Sequence, residues 1–158
     1  MQKKREKEKL IGVDKNNYEL IPRHSLGIFV LGDLIDNYLD LPHDFEHIDI
    51  DFYDGYEHDD YYFYKQDVTV WTINNKIDSV RCSVECWWQG KNLIGMLYED
   101  FEYLVQQKPD SEDCEYVPIS DFRGQNQKIY NFDDLGLMLW VWRKRIKTII
   151  VSLPYKED

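Results

Sequence analysis

Two stretches of the chain decide how the rest is read: Tyr61-Tyr-Phe-Tyr-Lys-Gln-Asp-Val-Thr-Val-Trp-Thr-Ile-Asn-Asn-Lys-Ile-Asp-Ser-Val-Arg-Cys-Ser83 and Tyr130-Asn-Phe-Asp-Asp-Leu-Gly-Leu-Met-Leu-Trp-Val-Trp-Arg-Lys-Arg-Ile-Lys-Thr-Ile-Ile-Val-Ser152. At a constant offset of 69, with no gap, Tyr61 meets Tyr130, Phe63 meets Phe132, Trp71 meets Trp140, Ile77 meets Ile146 and Ser83 meets Ser152. Upstream, Gly27-x-x-x-Leu31-Gly32 meets Gly90-x-x-x-Ile94-Gly95 at an offset of 63, followed by Leu34 with Leu97 and Tyr38 with Phe101. Self-similarity at such a spacing argues for two copies of one supersecondary unit. The expected organisation is a single domain over residues 1–158, with internal repeats at about 25–87 and 88–153.

Each copy is expected to open with a glycine turn and an amphipathic helix. The first is predicted over Gly32–Leu39, with Leu31, Leu34, Ile35, Tyr38 and Leu39 at helical spacing and Pro42 as its stop. The second is predicted over Leu93–Gln106, with Asn92 as N-cap and Pro109 beyond its end. β-branched and aromatic residues then predict strands at Tyr61–Tyr64, Val68–Ile73 and Ile77–Trp87, and at Ile129–Phe132, Gly136–Trp142 and Ile146–Leu153. Asn74-Asn75-Lys76 and Arg143-Lys144-Arg145 are the hairpin turns. Tyr116–Ile119 is a candidate added strand, and Val13–Ile21 a weak leading one. The expected fold class is α+β, two tandem helix-plus-antiparallel-strand repeats forming a sheet with helices on one face. One sheet face carries Thr69, Trp71 and Ile73, then Met138, Trp140 and Trp142. Sequence leaves open whether that face meets the helices as core or is exposed as an aromatic partner surface.

Charge is the second strong signal. The 158 residues hold 30 acids against 19 Lys and Arg, a net charge of −11, with 12 Tyr and 5 Trp. So many aromatics exclude a wholly disordered chain, and so acidic a balance disfavours nucleic acid and anionic membranes. From Asp33 to Asp60 there are eleven acids and no Lys or Arg, so this run alone carries a charge equal to that of the whole chain. Its second half interleaves aromatics, the mixture that binds a basic protein: carboxylates steer and pair, and tyrosines supply stiff contact area. The alternative is a solvated acidic loop. Residues 1–10 are expected to be a flexible tail. Arg143, Lys144, Arg145 and Lys147 form a basic hairpin, read as solvated or set near the protein's own carboxylates rather than as an RNA contact. No apolar stretch approaches a membrane span, and the basic N-terminus lacks an apolar h-region, so a cytoplasmic location is expected. Cys82, Cys86 and Cys114 contain no CxxC, and the first two are expected to be buried thiols.

Catalytic and metal signatures do not emerge. His43 and His47 lie four apart, as on one helix face, but Pro42 and the extended Ile48-Asp-Ile argue against a helix there. Asp49–Gly55 resembles a calcium loop only loosely, with Tyr53 in a ligand position and its glycine one place late. No GxSxG, P-loop, GxGxxG or HExxH occurs. Neither enzyme activity, metal nor cofactor is expected.

Gly90-Lys-Asn-Leu-Ile-Gly95-Met, with the amphipathic segment and Pro109-Asp110 loop after it, resembles the small bacterial immunity proteins encoded beside polymorphic or contact-dependent growth-inhibition toxins. Leu26-Gly27-x-x-x-Leu31-Gly32 is similar to the same element, and the likeness spans most of Leu26–Leu153. In architecture the tandem layout is similar to that of tandem-repeat β-lactamase inhibitor proteins. The resemblance implies stoichiometric neutralisation of a cognate protein toxin, a basic one such as a nuclease domain, by occlusion with an acidic, aromatic-rich surface. On that reading the contact residues are Asp49, Asp51, Tyr53, Asp54, Tyr56, Glu57, Asp59 and Asp60, with Trp140 and Trp142 as second candidates. A non-catalytic adaptor, or an enzyme with a site between the repeats, are the alternatives.

Overall fold

The computed structural model describes residues 18–49 and 57–153. Three short strands, β1 (Leu20–Ile21), β2 (Ser25–Leu26) and β3 (Phe29–Val30), form a small sheet of their own. The body of the protein is an eight-stranded antiparallel sheet. Its first four strands in the chain are β4 (His43–Ile48), β5 (His58–Phe63), β6 (Val68–Ile73) and β7 (Lys76–Cys82). A two-stranded ribbon, β8 (Trp87–Trp88) with β9 (Lys91–Asn92), and one α-helix, α1 (Tyr98–Val105), follow. The sheet is completed by β10 (Ser111–Ser120), β11 (Arg123–Phe132), β12 (Leu137–Trp142) and β13 (Arg145–Ser152). Its spatial order is β10-β11-β12-β13-β7-β6-β5-β4.

This corrects the expected α+β arrangement. Strands account for 56% of the described residues and helical turns for 12%, with no layer of helices on one face among them. The reason lies in backbone bonding at the two glycine turns. Gly32 (φ +86°) donates its amide to Ile77 O at 2.8 Å, and Ile35 donates to Asn75 O at 2.9 Å, so the segment read as a helix from Gly32 is tied to the β6–β7 hairpin. Only a 3₁₀ turn, Ile35–Tyr38, remains. Gly95 (φ +87°) donates to Ile146 O at 2.8 Å and Tyr98 to Lys144 O at 2.8 Å, which delays α1 until Tyr98. Asn92 is therefore no helix cap; its Oδ1 accepts the amides of Cys86 at 3.0 Å and Ile94 at 3.1 Å and clips the loop instead. Apolar side chains at helical spacing are buried here by loops docked on hairpins, and periodicity alone does not separate the two cases.

Alternation places the core. Phe63, Val68, Val70, Val80 and Cys82 line one sheet face together with Phe132, Leu137, Leu139, Ile149 and Val151, all buried. The short elements cover that face. Phe29 meets Phe63 with ring centroids 4.9 Å apart, and Phe101 of α1 meets Phe132 edge-on at 5.1 Å. Trp71, Trp140 and Trp142 lie on the opposite face, half-buried, so the tryptophans do not form the main core.

Features 69 positions apart recur through the sheet. Register breaks fall at Trp71/Thr72 and at Trp140/Val141. The hairpin tips Asn74–Asn75 and Arg143–Lys144 all have positive φ. At the joint β7 and β13 pair through Cys82–Ile149, Arg81–Ile150, Val80–Val151 and Ser79–Ser152. Arg81 and Ile150 occupy equivalent positions and face each other, so a local two-fold axis passes between them. Among the described residues no helix is long and apolar enough to cross a membrane.

Candidate functional site: an acidic sheet edge

β4, a strand the sequence reading omitted, is an end strand of the large sheet and pairs with β5 from His43–Phe63 to Ile48–His58. Its period-two pattern sorts side chains by chemistry. Asp44 and Glu46 stand on the tryptophan side, opposite Tyr62 and Asp60. His43, Phe45 and His47 stand on the core side, opposite Phe63, Tyr61 and Asp59. Phe45 overlaps Tyr61 at 5.1 Å and is still 55% exposed. Tyr64 donates its hydroxyl to Asp44, and Tyr62 donates to Asp67 at 2.6 Å; these carboxylates raise both phenol pKa values.

Two histidines sit among the acids. His47 bonds Asp59 through Nδ1, and its Nε2 lies 2.9 Å from Asp49 and 3.1 Å from Glu57. The Asp59 contact comes first in raising the imidazole pKa, with Asp49 adding to it. His58 bonds Asp60 at 2.7 Å, and Trp71 also hydrogen-bonds that carboxylate. Burial nevertheless lifts the Asp60 pKa, and the facing Glu46 adds to the lift.

Of the residues expected to bind a partner, Asp49 and Glu57 are exposed at the ends of β4 and β5, and Asp59 and Asp60 are half-buried on opposite sides of β5. Asp51, Tyr53, Asp54 and Tyr56 lie outside the described residues. Trp140 and Trp142 are not brought to this edge: four strand spacings separate β12 from β5, roughly 19 Å. The tryptophan at the acidic edge is Trp71. Asp44, Glu46, Phe45 and Trp71 thus join the site. The signal for the first three was the alternation His43-Asp44-Phe45-Glu46-His47, a strand pattern written in charged residues.

The edge is not imposed by the fold. At the positions equivalent to Asp59 and Asp60 the second half carries Lys128 and Ile129, with Cys114 facing Lys128 as His47 faces Asp59. Trp140, the counterpart of Trp71, has a buried Nε1 with no hydrogen-bond partner among the described residues.

Beside the edge lies an open depression of about 230 Å³, lined by His47, Glu57, His58, Asp59, Thr72, Asn74 and Asn75. It is smaller and more polar than sites that enclose an organic ligand. One ligand atom each from His47, Asp49 and Glu57 lies within 4.8 Å of the others, so among the described residues these three side chains can approach a metal ion together. In the geometry observed the imidazole and the carboxylates satisfy one another. His43, four residues from His47, does not join this group: its Nδ1 lies 2.7 Å from the carbonyl of Leu41, just before β4. Cys82 and Cys86 are buried, with thiol pKa values raised by burial, and Cys114 is exposed.

Compared with known protein families, curated proteins and solved structures, the chain matches none of them.

Proposed function

We propose that the protein is an immunity-type inhibitor: it binds a basic protein toxin domain, such as a nuclease, in the cytoplasm and blocks it stoichiometrically, without catalysis, metal or cofactor. The observation that carries this reading is the β4–β5 edge, where Asp44, Glu46, Asp49 and Glu57 are all exposed and no Lys or Arg occurs between Asp33 and Asp60. Such an edge attracts a cationic cleft over several ångströms and raises the association rate. Phe45, Tyr62 and Tyr64 add exposed aromatic area beside the acids, which gives a bound partner something to pack on once steering has brought it in.

The test is co-expression of the full chain with the protein encoded next to its gene, the latter tagged. A one-to-one complex, with toxicity that returns when this chain is withheld, is the expected result. The D44K/E46K/D49K/E57K variant should slow association by at least about tenfold and flatten its salt dependence. Unchanged binding by that variant overturns the acidic-edge reading.

A further inference from the structure

We infer that the free edge of β4 takes up an extended basic segment of the partner as a ninth strand of the sheet; this rests on the inhibitor reading above. Among the described residues β4 ends the sheet, so one side of its backbone has no ladder. Register shows which groups face outward. The Tyr64 amide donates to the Pro42 carbonyl at 3.4 Å, and the pairing beyond it runs to Ile48–His58 without a break. Hydrogen-bonded and non-hydrogen-bonded pairs alternate in an antiparallel ladder. Asp44–Tyr62 and Glu46–Asp60 are therefore hydrogen-bonded pairs whose backbone groups turn toward β5. His43, Phe45 and His47 turn theirs to the free edge.

A strand laid on that edge bonds the backbones of His43, Phe45 and His47. Its residues opposite Asp44 and Glu46 then fall in non-hydrogen-bonded pairs, where Cα atoms approach to about 4.5 Å and side chains lie closest. Lys or Arg at those places meets a carboxylate directly across the strand. The intervening residues meet the other side, where Phe45 offers apolar area. The edge thus selects a segment with a cation at every second position and apolar residues between. The same acids reject a second copy of this chain, because β4 against β4 would set acid beside acid. The opposite edge is less suited: β10 carries Pro118 and a register break between Pro118 and Ser120.

The probe is a short capped peptide alternating lysine and valine, added to the full chain at low salt, with amide hydrogen exchange read by NMR. Binding should protect the amides of His43, Phe45 and His47 by at least about tenfold, and N-methylation of the peptide amides that face β4 should weaken binding by about tenfold or more. D44K/E46K should remove binding while the amide spectrum stays folded. Equal binding of the methylated peptide, or no protection at the three amides, overturns strand addition yet leaves attraction by the acidic edge standing. Failure of both peptides to bind overturns strand addition, and the co-expression test then decides the inhibitor reading separately.

Discussion

Replacing Phe101 by Ala tests whether the sheet and its cover form one cooperative unit. Phe101 is the fully buried residue of α1, 0% exposed, with its ring edge-on to Phe132 at 5.1 Å and 6.4 Å from Trp88. Buried Phe-to-Ala changes cost about 3–5 kcal/mol through lost transfer energy plus a residual cavity. α1 has only eight residues, too few for a helix to persist alone, and no other fully buried side chain holds it. The helix can settle partway into the space, which places the cost near the lower end, about 3 kcal/mol. For a chain of this size that lowers the melting temperature by roughly 10 °C. The core is continuous across the β7–β13 joint, so the loss should be shared. Denaturant unfolding should show one transition, and the amides of β5 and β6 should lose as much exchange protection as those of β11 and β12. If β5 and β6 keep their protection while β11 and β12 lose theirs, the four-pair joint does not couple the halves and the reasoning fails.

Three further outcomes follow from the geometry. His47 has a pKa raised by Asp59 and its acidic neighbours, so its stabilising contribution is complete below the unfolded value near 6.5 and fades as pH rises through the folded one; an imidazole titration by NMR should give a midpoint above 6.5, Asp59→Asn should lower it, and an unmoved midpoint would refute the assignment. Trp71→Phe should cost about 1 kcal/mol more than Trp140→Phe, because only Trp71 has a carboxylate to lose, and equal costs in chemical denaturation would count against that pairing. Lys144→Gly, at φ +68°, should stabilise the protein by about 0.5–1 kcal/mol, whereas Asn75→Gly at φ +63° should do less because Asn tolerates left-handed backbone; a melting-temperature gain at Asn75 alone would contradict this.

The sheet's centre was legible in the chain because of its β-branched and aromatic runs and because strands such as Val80-Arg81-Cys82 alternate buried apolar with exposed polar residues. Two features were not. Leu31, Ile35 and Tyr38 are buried as their spacing implied, yet Leu34 and Leu39 are exposed, because backbone bonds to the β6–β7 hairpin set that segment's path. The edge strand β4 was hidden for the opposite reason: its alternation is between carboxylates on one side and His or Phe on the other, and hydrophobicity scales see a polar loop. The acidic run was visible as a charge count, but its division between two sheet faces depends on register, which a one-residue shift would have inverted.

That division bears on why the edge exists. Glu46 faces Asp60 across the ladder, a like-charge pair, and His58 and Trp71 are bonded to the Asp60 carboxylate. The second half needs none of this: Ile129 takes the place of Asp60, and the sheet there closes with the same register and the same hairpin geometry. A sequence that repeats a backbone but sets Asp60 against Glu46, where the second half sets Ile129 against Asp113, has departed from local consistency at one end alone. Such departures collect at functional sites, where the unfavourable arrangement is offset by what it binds. Charge of the opposite sign on a partner would relieve the Glu46–Asp60 repulsion and leave Asp60 its bonds to His58 and Trp71. The edge should therefore become more stable when occupied, and the amides of β4 and β5 should exchange more slowly in the complex than any contact-free strand of the sheet.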